Sequence, residues 1–207
     1  MTETSPDARL EAFSDGVFSV ALTLLITGIA IPATAEINNN ADFWRALEQI
    51  LPSFFAFLLS FGIVLITWVN HHSALKLIYR TSLPFAYANG LLLLGVVFIP
   101  FPTSLLGEHL FTDHSSPAVV LYSGVCSLQG IGWFFLTRTA LNPSDLLTRD
   151  EQSTLAMRNN HRYSYFAIAL YTACGIAALW LPQAIAIVIT LIWLFWLLWP
   201  VAWKAGR

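Results

Sequence analysis

Charged side chains are scarce in this chain, so those bordering its apolar stretches mark where chemistry can occur. Arg9, Glu11 and Asp15 open the first apolar segment, and Ser19, Thr23 and Thr27 follow at four-residue intervals. On a helix, residues four apart lie on neighbouring turns of one face. Asp15, Ser19, Thr23 and Thr27 therefore form a slowly winding polar stripe, bordered by Val20 and Ala30. Such a face avoids lipid, and two readings stay open. It packs tightly, with hydroxyls bonded back to carbonyls of the preceding turn, or it lines water. Asp15 lies two turns from Arg9, which makes an ion-paired network the cheaper state for both.

A second cluster, Trp68-Val69-Asn70-His71-His72, closes the next apolar run. Adjacent histidines on a helix point about 100° apart, so they lack the shared face of a metal-binding i, i+4 pair. Structural hydrogen bonding is the leading reading of the pair, with pH sensing behind it. Cys126 and Cys174 fall inside apolar runs and read as buried thiols with no disulfide or zinc framework. No metal site is expected beyond permeating cations.

The elements that carry these residues follow from composition. The chain has 207 residues, of which 57% are hydrophobic and 11% charged, against about 25% charged in a soluble domain. A net charge of −2 excludes the basic footprint of a nucleic-acid binder. The chain reads as an integral membrane protein, and its polar start, Thr2 to Glu11, does not resemble a signal peptide. A helix needs about 20 apolar residues to cross the hydrocarbon, and six runs qualify: 10–31, 44–75, 83–105, 117–139, 163–181 and 184–203. The second is long enough to tilt or protrude, and Pro100 predicts a kink in the third. Nine of the ten Lys and Arg residues would lie on one side and only Arg45 on the other, which sets both termini in the cytoplasm.

The predicted fold is thus all-α: a polytopic membrane protein forming one domain over 1–207. A cytoplasmic connector spans 141–162, with a short helix expected to start near Asn142-Pro143-Ser144-Asp145 and Arg158 and Arg162 as its anchors. Trp193, Trp196, Trp199 and Trp203 suggest a lipid-facing or interfacial aromatic stripe. Spans one to three do not repeat in four to six, unlike the internal duplication common in secondary transporters.

The run from Arg9 to Gly16 reads R-x-x-x-F-S-D-G, through Phe13, Ser14 and Asp15, and continues into Val17-Phe18-Ser19-Val20-Ala21-Leu22-Thr23. It resembles the signature of the transmembrane protein 175 family of potassium channels in its bacterial, single-repeat form. Trp68 to His72 is similar to the family's W-x-x-H-H segment. The resemblance implies a homotetramer in which four copies of the first helix surround a central path for K+, without a T-x-G-Y-G filter loop. It further implies a constriction at Val20, a Thr ring at Thr23 linked to potassium preference, Ser19 one turn below, and Thr27 at another constricting position. Val20 is smaller than the Leu or Ile usual there, and Thr27 replaces an apolar side chain. Both changes point to a wider or wetter path.

The motif residues have a separate task. Arg9 is expected to hold Asp15 through charge-assisted bonds, Ser14 to bridge, and Phe13 to pack into neighbouring helices. Trp68, Asn70, His71 and His72 would supply further partners, locking the first helix against the second. The functional expectation is a passive potassium-permeable channel in the plasma membrane, with the lipid bilayer and monovalent cations as partners and no cofactor. The alternative is a proton-coupled transporter. A membrane enzyme is not expected, because the spans offer only hydroxyls, thiols and aromatics at matched depth.

Overall fold

The computed structural model describes residues 6–30 and 37–205, with side chains over 8–30 and 37–194. Their regular structure is helical, apart from one isolated bridge between Ile78 and Thr148. The helices are α1 (Pro6–Leu24), α2 (Asn40–Gln49), α3 (Leu51–Leu75), α4 (Leu83–Phe98), α5 (Pro100–His109), α6 (Ser115–Ala140), α7 (Glu151–Ala177) and α8 (Pro182–Ala205). Stretches 8–28, 51–75, 83–109 and 115–140 are long and apolar enough to cross a membrane.

Several boundaries differ from the expectation, each for a local reason. The run 44–75 divides at Ile50, because Pro52 sits in the first turn of a new helix, where its missing N–H costs nothing. Before that break, α2 is amphipathic, is capped by the Asn39 side chain on the backbone N–H of Asp42, and buries no residue. The third run does break at Ile99–Pro100, yet α5 carries it to His109. In α1 the α-helix ends at Leu24 and tightens into a 3-10 turn over Leu25–Gly28. Ile31, Pro32 and Glu36 lie outside the described residues.

The connector also differs. No helix starts at Asn142–Asp145; α7 starts at Glu151, where the Asp150 carboxylate accepts from the Ser153 backbone N–H at 2.7 Å. That bond holds the Asp150 carboxyl below its ordinary value. This capping contribution is therefore present above the usual carboxylate range and is lost as pH falls through the lowered value. Preceding it, the loop 141–150 is pinned to 76–82. The Tyr79 backbone N–H donates to the Leu147 carbonyl (3.0 Å), Arg149 donates through its backbone N–H to the Leu77 carbonyl (3.0 Å) and through Nε to the Ile78 carbonyl (2.7 Å), and Arg80 pairs with Asp145.

Helix α6 is the hub, packing against α4, α5, α7 and α8, while α1 lies against α3 and α4. Packing is close where side chains are small. A Cβ on Gly132 of α6 would lie 2.5 Å from the Cα of Leu92 in α4, so only glycine admits this approach. Between α3, α5 and α6, Ser60 bridges the Tyr122 hydroxyl (3.0 Å) and Thr103 (2.6 Å), all buried. Cys126 and Cys174 are free, buried thiols, as expected. Trp193 is not a lipid-facing residue: it is partly buried against the core and stacks on Tyr171 with ring centroids 6.2 Å apart. The side chains of Trp196, Trp199 and Trp203 are outside the described set.

The glycine contact gives a direct test. Gly132→Leu forces α4 and α6 apart and costs ~1–3 kcal/mol by overpacking, read as a lower melting temperature in detergent. An unchanged melting temperature would mean that the two backbones do not approach this closely.

Candidate functional site

Helix α1 has two contrasting faces. Ser14, Phe18, Ala21 and Leu25 are at most 1% exposed and point into the bundle. On the other side Gly16, Ser19, Val20, Thr23, Leu24, Thr27 and Ala30 are exposed, and none of the described residues covers them. A Cβ on Gly16 would meet nothing within 4 Å. Phe13, at 61% exposure, also points away from its own chain.

The hydroxyls on the open face are oriented. Thr23 Oγ1 donates to the Val20 carbonyl (2.8 Å) and Thr27 Oγ1 to the Leu24 carbonyl (2.7 Å). With the hydrogen turned back onto the helix, the oxygen lone pairs stay free to accept from water or to face a cation. The 3-10 turn also changes the expected stripe. Residues three apart eclipse in that geometry, so Thr27 stands over Leu24 rather than continuing the line from Thr23.

Asp15 leaves the stripe and joins a polar clamp on the inner side. Trp68 Nε1 of α3 donates to Asp15 Oδ1 at 2.8 Å, and His72 Nδ1 lies 3.0 Å from Glu11 Oε1. The Trp68 and His72 rings stack on each other at 5.9 Å, with an angle of 17° between planes. Deeper in the bundle, His71 Nε2 meets Asn89 Oδ1 of α4 at 2.7 Å, Asn89 Nδ2 donates to Ser14 Oγ at 3.0 Å, and Ser14 donates to the Leu10 carbonyl at 2.9 Å. The His71 ring also packs against Phe18, with centroids 5.4 Å apart.

Most of the motif residues thus meet, but Asp15 is held by Trp68 rather than by Arg9. Arg9 is exposed and makes no ion pair with Asp15, whose described partner is the Trp68 indole. The reason is distance along the surface: Arg9 sits on the outer side of α1, whereas Asp15 turns toward α3. Asn70 does not reach α1; it is exposed on another side of α3. Sequence reasoning missed Asn89, the buried link between His71 and Ser14. Its signal was a lone amide within the apolar run Tyr87 to Leu94, since a polar group inside a membrane segment needs a partner.

The clamp makes a quantitative expectation. Trp68→Phe and Asp15→Ala should each destabilise the protein, and a double-mutant cycle should give a coupling of ~1–2 kcal/mol for this bond between an indole N–H and a carboxylate. Strictly additive effects in denaturant unfolding would show that the two side chains act independently.

Comparison with known proteins gives this geometry a lineage. Residues 9–100, which hold both clamp motifs, match the family described as endosomal/lysosomal potassium channel TMEM175. A potassium channel of Chamaesiphon minutus is 35% identical over 191 residues, covering 91% of this chain and 94% of that protein. A potassium channel of Streptomyces collinus is 38% identical over 136 residues, covering 63% of this chain and 65% of that protein. Among solved structures, the crystal structure of a lysosomal potassium-selective channel TMEM175 homologue from Chamaesiphon minutus superimposes with a TM-score of 0.77 at 32% identity. It covers 91% of this chain and 96% of its own. With an all-helical fold, an outward hydroxyl face on α1 and a 35% identical relative matched over 94% of its length, the chain belongs to the TMEM175 family of ion channels.

Proposed function

We propose that this protein is a potassium-permeable cation channel in which α1 from each of four identical subunits surrounds a central path. The observation that carries the reading is the division of α1: one face is locked into its own subunit, and the hydroxyl-bearing face has no cover among the described residues. A helix in a bilayer does not leave such a face to hydrocarbon. A shared axis gives it water and ions, with symmetry supplying the ring.

In this reading Ser19, Val20, Thr23, Thr27 and Ala30 line the path. Val20 forms the hydrophobic constriction, which limits flow by excluding water. The Thr23 ring presents oxygens whose hydrogens are turned away, as a partly dehydrated cation requires. Thr27, in the 3-10 turn, makes the far end wetter. The motif residues Arg9, Phe13, Ser14, Asp15, Gly16, Trp68, Asn70, His71 and His72 form and border the cytoplasmic base. Within that group Asp15, Ser14, Trp68, His71 and His72 hold the rotation of α1. Phe13 and Gly16, being exposed, suit contact with the neighbouring subunit.

The full chain serves as one membrane domain of six spans, with α7 and α8 supplying the last two and both termini in the cytoplasm of a cell-membrane protein. The bias of Lys and Arg supports that orientation. K+ is the permeant ion, the bilayer the solvent, and no cofactor is needed. Membership in an ion-channel family makes the chain a channel and not an enzyme. Proton-coupled transport has less to draw on, because the part of α1 that follows Asp15 carries no titratable residue, and Asp15 itself is engaged by Trp68 at the base.

Flux into vesicles under K+ and Na+ gradients tests the assignment. Val20→Ala should raise K+ flux and Val20→Phe should lower it. Thr23→Val removes a hydroxyl worth ~1 kcal/mol and should shift the K+ to Na+ ratio about fivefold. If neither position alters flux or selectivity, α1 does not line the path.

A further inference from the structure

Besides the open face of α1, two apolar stripes on the neighbouring helices lack cover among the described residues. On α3, Leu58, Gly62, Leu65 and Val69 follow one another at intervals of four, three and four. Leu58 and Val69 are exposed, and a Cβ on Gly62 would meet nothing within 4 Å. Gly90, Leu94, Val97 and Phe101, on α4 and the first turn of α5, repeat the same intervals. All four are exposed, and Gly90 is as open as Gly62. Alternating steps of three and four keep each set on one helix face. Each stripe is thus a row of bulky side chains with one glycine hole, a hole for which its own subunit has no use. Small residues let a second helix approach closely in a membrane.

The stripes have defined positions around α1. Helices α3 and α4 make little contact with each other, and α1 packs on both. It meets α3 at Trp68 and His72 and α4 at Asn89. At 100° per residue, each stripe lies about a quarter turn from the side of its helix that faces α1. The two spans run antiparallel, so these turns have opposite senses along the membrane normal and the stripes flank α1 on its two sides. Their relative depth is set by the bond between His71 and Asn89 (2.7 Å), which makes those residues level. Counting outward from that bond along both helices brings Val69 level with Gly90, Leu65 with Leu94, Gly62 with Val97 and Leu58 with Phe101. Each pair agrees to about one residue's rise, ~1.5 Å.

Rotation about an axis normal to the membrane preserves depth, so these are the residues that meet when copies of the chain surround such an axis. In each row the glycine hole then faces a valine of the other. We infer that the α3 stripe of one subunit packs on the α4–α5 stripe of the next, with Val97 entering the hole at Gly62 and Val69 the hole at Gly90. The contact joins two different surfaces of the same chain, and such head-to-tail contacts close into a ring. The inference rests on the ring reading of α1 and adds which surfaces close the ring.

Oxidative cross-linking in native membranes tests the register. When Leu65→Cys and Leu94→Cys are placed on separate, co-expressed copies, copper phenanthroline should join the two into a covalent dimer. Either form alone should stay monomeric on the gel, as should the wild type, whose Cys126 and Cys174 are buried. Leu65→Cys paired with Tyr87→Cys, about 10 Å out of register, should remain unjoined. Gly62→Phe fills the hole without touching its own subunit, and native mass spectrometry in detergent should show the tetramer lost to folded monomer. A wild-type tetramer that lacks the Leu65–Leu94 cross-link overturns this seam and leaves the reading of α1 standing. Cross-linking together with flux indifferent to Val20 and Thr23 supports the seam and removes that reading. An unassembled wild-type chain, a Gly62→Phe tetramer as stable as the wild type, or joining to position 87 as readily as to 94 overturns the seam, and lipid then covers both stripes.

Discussion

The rotation of α1 about its own axis is the constraint on which the rest depends. Each residue turns the helix by about 100°, so a small rotation would send Ser19 and Thr23 into the bundle and bring Phe18 outward. Apolar contacts alone fix this angle poorly in a membrane, since lipid tails are as apolar as the neighbouring helices. Directional bonds do it better. Trp68 to Asp15, His72 to Glu11 and Asn89 to Ser14 hold one end of α1 from two different helices. Two anchors at an angle define a rotation where one would leave a hinge. Above them Phe18, Ala21 and Leu25 extend the buried side along the helix.

Anchors are useful only if they are themselves held. Asn89 sits on α4, which is kept close to α6 by the Gly132 approach to Leu92. Trp68, His71 and His72 sit on α3, tied to α5 and α6 through Ser60, Thr103 and Tyr122. On the same side as the clamp, the bonds between 76–82 and 141–150 fix where α3 ends and where α7 begins. The polar contacts inside this bundle are few but cross between helices, which is where a directional bond adds most in a medium without water.

The sequence made the all-helical membrane architecture legible through the length of its apolar runs, and the base of α1 through its motif. The polar face of α1 was visible as a period of four, but its orientation depends on which neighbours cover the other side. Arg9 and Asp15 were paired by charge and spacing, yet the indole of Trp68, 53 residues away, takes the carboxylate. Long-range partners of this kind leave no local pattern. Asn89 left a trace, a single amide in an apolar run, and its meaning depended on Ser14 and His71 being opposite. The 3-10 turn at Leu25 had no clear marker, because Leu25, Ile26 and Thr27 suit either helix type. The break at Ile50 did have one: Pro52 marks a first turn as readily as a kink.

Helix α3 divides its end between two tasks. Trp68, His71 and His72 turn toward α1 and α4, whereas Thr67, Asn70 and Ser73 border a cavity between α3, α6, α7 and α8. The Trp68 to His72 segment is therefore two half-sites interleaved on one helix, with Asn70 on the cavity side. Because both faces share one backbone, whatever fills the cavity also braces the helix that carries the clamp. The angle of the hydroxyl face would then depend on contacts made on both sides of the same five residues.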